Sequence, residues 1–313
     1  MHLMIPFAAP LSEVGRQASA TLGLPHLQAL LARWTEVDRD NGDEWSLSTP
    51  HERVRARALR LRGGDGQLPW AALQAQADGV AVGDLGWGLV TPAHWHLGTD
   101  QVSLLEPTAL MLDESASRAC FEAVQDLFTS QGYALQYAAP LRWYLAHASL
   151  AQLATASLDR VIGRNVDAWL GTAPALQAIR RLQSEVQMVL YTHPLNDARQ
   201  AQGLLPVNSF WLSGCGVAQA VTGAGTGTGP TTDARLRAPA LADDWAAWLK
   251  AWETLDAGPL ADLLQRAERG AEVRLTLCGE RSAATFAPAP RSLLQRARGL
   301  FAGPAVQPLL ESL

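Results

Sequence analysis

The 313-residue chain is predicted to be an α/β protein, a layered sheet with flanking helices and a smaller inserted α+β region. Apolar runs of strand length alternate along it with segments whose apolar residues recur at helical spacing, as layered α/β folds require. Hydrophobic residues make up 48% and charged residues 18%, the balance of a folded globular protein. That length supports a substantial core, in one large domain or two. The predicted division is a core formed by 1–110 with 217–313, and an insertion over 111–216.

His2 to Phe7 is a compact apolar run ending before Pro10, as expected of a buried first strand. Leu24 to Trp34 has apolar residues at helical spacing, with Pro25 near the start of the helix. Thr49-Pro50-His51-Glu52 reads as a capping box opening a helix through Val54 to Leu61, with Gly63-Gly64 as its stop. Val80 to Leu105, rich in glycine and aromatics, predicts strands and turns. Ser115 to Thr129 predicts an amphipathic helix, and Tyr133–Tyr137 with Leu141–Leu145 a hairpin. Pro174 to Tyr191 is the clearest helix. A second, short one over Asp197–Gln202 would be capped by Asn196 and ended by Gly203.

Val207–Leu212 then predicts a strand running into a glycine turn, and 223–232 a flexible linker or loop. Leu241–Leu255 and Pro259–Arg269 read as helices, Glu272–Cys278 as a strand, and Ser292–Phe301 as a closing helix.

Composition also excludes several function classes. A net charge of −5 gives no basis for binding nucleic acid, which rests on neutralising phosphates. No run reaches the roughly 20 apolar residues of a membrane span. The first residues, MHLMIPFAAPLSEVGR, lack a basic leader, so a cytoplasmic protein without a signal peptide is predicted. Lys250 is the only lysine among many arginines, the bias of a GC-rich genome. Cys120, Cys215 and Cys278 are too widely spaced for a disulfide framework or a zinc ribbon, and buried thiols are expected. The glycines at 223–229 lack the Lys-Ser/Thr of a phosphate-binding loop. Trp245, Trp248 and Trp252 recur at helical spacing and predict a buried stripe, or a protein-contact patch if part of it is exposed.

The polar pattern is densest between Glu185 and Gly216, where His193, Pro194, Asn196, Arg199, Gly203, Pro206, Asn208, Trp211, Gly214 and Gly216 follow in order. Gly214 and Gly216 allow a tight turn at a strand end, where ligands approach backbone amides in α/β sheets. His193, Asn196, Arg199 and Asn208 can offer polar contacts to a small anion, with Arg199 the bidentate group. The same residue types serve equally as caps and turn pins. A second pattern, His94-Trp95-His96, places two imidazoles on one face of a strand, with Asp100 as a third metal ligand.

The ordered string resembles a signature of the archaeal-type cofactor-independent phosphoglycerate mutases, roughly HPVNxxRxxxGxxPANxIWLWGxG, within the alkaline phosphatase superfamily. Leu22–Arg33 resembles a helix near that family's N-terminus. The resemblance implies a phosphatase-like core and a two-metal site. It also implies a metal-binding Asp after the first strand, where this chain has Ile5-Pro6-Phe7-Ala8-Ala9, and a serine nucleophile near 46–61, where His51 stands. No histidine follows His193, so the family's later ligands have no counterpart.

MHLMIPFAAP, LSTPHERVRARALRL, LPWAAL, TPAHWHLGTDQVSLLEP and VRLTLCGER, with the 185–216 segment, are similar to a narrower group, bacterial regulatory proteins of the RpfE type. Together these imply a catalytically degenerate mutase-like protein without cofactor, in a binding or regulatory role toward a small anion or a protein. The alternative is a metal-dependent phosphotransferase or hydrolase rebuilt around His94, His96 and Asp100.

Overall fold

The computed structural model describes residues 1–221, 229–288 and 306–313. The loop expected over 223–232 is outside the described residues as far as 228, and the closing helix expected over 292–301 is wholly outside them. The chain divides into two compact units, Met1–Arg60 with Gly223–Leu313, and Leu61–Thr222. One unit thus interrupts the other, but from 61 to 222 rather than the expected 111 to 216. The pairing of the strand at Gly86–Ala93 with two later strands carries the stretch before 110 into the interrupting unit.

The first unit opens with β1 (His2–Ile5), α1 (Glu13–Ser19), α2 (Pro25–Arg33), β2 (Thr35–Asp40) and α3 (Pro50–Ala58). The interrupting unit contains α4 (Trp70–Ala77), β3 (Gly86–Ala93), β4 (Trp95–Leu97), β5 (Val102–Leu104), α5 (Glu114–Thr129), β6 (Ala134–Ala139) and β7 (Arg142–Ala146). It continues with α6 (Leu158–Val161), α7 (Pro174–Tyr191), α8 (Pro194–Ala201) and β8 (Ser209–Val217). The first unit then resumes with β9 (Thr231–Thr232), α9 (Arg237–Leu241), α10 (Trp245–Leu255), α11 (Ala261–Glu268), β10 (Arg274–Cys278), β11 (Ala283–Ala287) and α12 (Val306–Glu311). The result is a mixed α/β protein of sheets flanked by helices.

In the first unit the strand order is β2-β11-β10-β1-β9. β1 runs parallel to β10 and β9, while β11 is antiparallel to both β10 and β2. Every strand but β11 therefore points the same way, and the ends at Ile5, Asp40, Thr232 and Cys278 share one edge. Leu27, Leu30, Trp248, Trp252 and Leu275 pack in one core with no or almost no exposure. Two members of the tryptophan stripe are core: Trp248 and Trp252 are fully buried, edge-to-face at 6.1 Å, while Trp245 is half-buried against them. The Trp248 indole N–H donates to the Phe7 carbonyl at 3.0 Å.

The predicted capping box opens α3, with the Thr49 N–H donating to Glu52 Oε2 at 3.0 Å. Its stop differs from expectation. The helix ends at Ala58, and Arg60, not a glycine, takes the left-handed conformation at φ 57°.

The interrupting unit is built on an antiparallel sheet, β6-β7-β3-β8, with β4-β5 as a separate hairpin. Cys120, Phe128, Leu145, Leu182 and Phe210 are among the residues of its core, where α5 and α7 cover the sheet. All three cysteines are buried and free, and burial pushes the Cys120 and Cys215 thiols up to about 12.

Candidate functional site

The 193–216 segment places its polar groups on the protein's own main chain. α8 begins one residue after His193 rather than at Asp197, because His193 itself is the N-cap, its Nδ1 accepting from the Leu195 N–H at 3.3 Å. Asn196, expected as a cap, lies inside the helix and is buried. Its Nδ2 donates to the carbonyls of Leu190 and Val207, both at 2.8 Å, and its Oδ1 accepts from the Val207 N–H at 2.9 Å. One side chain thus ties the end of α7 to the approach to β8.

Arg199, expected to grip an anion bidentately, is 4% exposed. Its Nε donates to the Leu205 carbonyl at 2.9 Å and its Nη2 to the Leu110 carbonyl. Asn208 acts as an extra rung of backbone: Oδ1 accepts from the Trp95 N–H at 2.7 Å and Nδ2 donates to the Trp95 carbonyl at 2.9 Å. Its own N–H donates to the Ala93 carbonyl at 3.1 Å. Asn196 and Asn208 therefore flank one short connection, each locking it from a different side.

Gly214 and Gly216 have a packing role. Leu89 pairs with Ser213 and Trp87 with Gly216, so Gly214 and Cys215 stand opposite the single residue Gly88 in a β-bulge. Gly214 has φ 63°, and a Cβ there would meet Trp70 Cβ at 3.0 Å. At Gly216 a Cβ would meet Pro69 Cβ at 2.8 Å. Both glycines let the start of α4 lie directly on β8, a close helix–strand approach that a side chain would block.

The histidine pair sits just beyond the end of β3. His94 Nδ1 donates to the Pro206 carbonyl at 2.8 Å. The His94 and His96 ring centres are 6.4 Å apart with planes inclined by 34°. His94 is half-buried, His96 and Asp100 are exposed. The structure brings the two imidazoles together but does not add Asp100. Among the described residues no three His, Cys, Asp or Glu side chains converge as a metal-binding group.

In the first unit, the shared strand edge is where an open α/β sheet ordinarily receives ligands. Here β1 runs into Phe7, Ala8 and Ala9, all buried, with Phe7 at φ 57° and its ring 5.6 Å from that of His51. Asp40 is buried and both its oxygens are held, by Arg53 Nε at 2.7 Å and Arg57 Nη1 at 2.5 Å. Asp233 pairs with Arg235, and Glu280 accepts from the Leu11 N–H. Thr49 Oγ1 and His51 Nε2 are 3.1 Å apart. Among the described residues no three His, Cys, Asp or Glu side chains converge at this edge, so the donors present do not assemble the two-ion site that the mutase resemblance implies. The Asp40–Arg53–Arg57 cluster was missed in the sequence; arginines at i and i+4 on one helix after a strand-end aspartate were the available signal.

No family model matches the chain, and no curated protein matches it. Two solved structures are similar over nearly the whole length. The cofactor-independent phosphoglycerate mutase from Thermoplasma acidophilum DSM 1728 is 12% identical with a TM-score of 0.37, covering 95% of this chain and 94% of that one. The PH0037 protein from Pyrococcus horikoshii is 10% identical with a TM-score of 0.41, covering 91% of this chain and 86% of that one.

Proposed function

We propose that this chain is a catalytically degenerate phosphoglycerate mutase-like protein, retained in a binding or regulatory role as proteins of the RpfE type are named. Its kinship rests on the ordered residues between His193 and Gly216. The observation that carries the loss of chemistry is what those residues do: Asn196, Arg199 and Asn208 spend their hydrogen-bonding groups on carbonyls and amides of the same chain. A buried polar group that is satisfied in this way costs about 1–3 kcal/mol to release, so it makes a poor ligand contact and a good strut.

The strand edge of the first unit supports the same reading. A reaction on a phosphate ester needs positive charge or metal left open to the substrate. There the Arg53 and Arg57 guanidinium groups are committed to Asp40, and the residues after β1 are apolar.

The test is turnover. Purified protein supplied with manganese is expected to leave 3-phosphoglycerate unchanged, neither isomerised nor dephosphorylated. Product that scales with protein concentration and disappears in the Thr49→Val/His51→Ala double variant would overturn the proposal.

A further inference from the structure

The bend between β3 and β4 carries a chemistry that the degenerate-mutase reading does not use. The geometry points to a two-imidazole site at His94 and His96 for a borderline divalent transition ion, copper(II) before nickel or zinc, with solvent filling the remaining positions.

Four features of the bend make this site. The Pro206 carbonyl accepts from His94 Nδ1, so the proton sits on that nitrogen and the Nε2 lone pair is left for a metal. A carbonyl behind one ring nitrogen is the arrangement that orients imidazole ligands generally. The residue between the two histidines is held by both its main-chain groups, through the Asn208 amide at 2.7 and 2.9 Å, which limits how the pair can splay. The Leu105 N–H donates to the His94 carbonyl at 3.1 Å, and His96 pairs with Ser103 in the β4–β5 ladder, so the flanking backbone is fixed on the other side too.

The spacing fits. A metal about 2.0–2.1 Å from one nitrogen of each ring puts the ring centres roughly 4.5–6.5 Å apart, depending on the ligand angle. The observed 6.4 Å is the separation of a nearly linear pair, so a bent site requires the exposed His96 ring to swing inward. Imidazole nitrogens favour copper, nickel and zinc over magnesium or calcium, and copper(II) binds most strongly in that series. With Asp100 outside the pair, the site holds an ion through two protein ligands only.

The experiment uses full-length protein without a histidine tag, stripped by chelator, titrated with copper(II) and then zinc(II) against a chromophoric competitor. One equivalent of copper is expected, bound more tightly than zinc, with two nitrogen couplings in the electron paramagnetic resonance spectrum. His94→Ala and His96→Ala should each weaken binding at least tenfold, while Asp100→Asn and His147→Ala leave it unchanged. Copper binding that is absent, or that persists in the His94→Ala/His96→Ala double variant, would overturn the site. A tenfold loss in Asp100→Asn would overturn the two-ligand assignment. Circular dichroism of each variant separates lost binding from lost fold. None of these outcomes reports turnover, so the degenerate-mutase proposal stands or falls separately.

Discussion

The 193–208 segment and the 94–96 bend are joined by the same hydrogen bonds, yet their polar groups point to opposite ends. In the first, Asn196 and Arg199 are buried and turned inward onto carbonyls; in the second, His94 uses one nitrogen inward and His96 is exposed. The stretch with the richer motif is therefore the frame, and the plainer His-Trp-His is what the frame presents. A polar residue signals chemistry only if some of its bonding capacity is left over after the backbone has been served.

Substitution can break that comparison most forcefully at Asn196. Asn196→Leu leaves two carbonyls and the Val207 N–H without their partner, and should cost about 3 kcal/mol or more in urea-induced unfolding. A loss under about 1 kcal/mol would mean that the amide is not the strut described. Next come the bulge glycines. Gly214→Ala must hold an L-residue at φ 63° and press on Trp70, so a loss of about 2 kcal/mol is expected in the same measurement. If Gly214→Ala unfolds at the wild-type denaturant midpoint, close packing of α4 on β8 is not why glycine stands there.

A third comparison sets an inward histidine against the open pair. His2 bonds through Nε2 to Thr276 Oγ1 at 2.7 Å, and burial, then the charges of Arg274 and the N-terminal amine, lower its pKa to about 4. Protonation is thus easier in the unfolded chain. His2's contribution is fully present above pH 6.5 and shrinks as pH falls from 6.5 toward 4. Unfolding of His2→Gln should show a shallower decline across that window; an identical pH profile would contradict the assignment. The smallest effect is expected at His96, exposed and outside the core. His96→Ala should shift stability by no more than about 0.5 kcal/mol, and a larger loss would make His96 part of the frame.

Much of the architecture was legible because local rules and tertiary context agreed. The bounds of α7, Pro174–Tyr191, follow from an N1 proline and a continuous apolar face. The Thr49 capping box and the burial of Trp248 and Trp252 were readable for the same reason. β2 was not, since TEVDRD is a mostly exposed strand at the sheet edge with no apolar alternation. The start of α8 was misplaced because Asn is both a good cap and a good buried bridge, and only Val207, eleven residues on, decides between them. The division at 61 was hidden likewise, since β3 joins its sheet through partners that come much later in the chain.

The amino-acid order alone determined an α/β chain, its main helices and strands and its buried thiols, because periodicity, caps and composition act over a few residues. Which polar groups remain open was decided only by the tertiary structure. Asn196, Arg199 and Asn208 look available in one dimension and are consumed in three, by carbonyls up to 113 positions away. That outcome depends on where the backbone leaves unpaired donors and acceptors, and those positions exist only once strands and helices have packed.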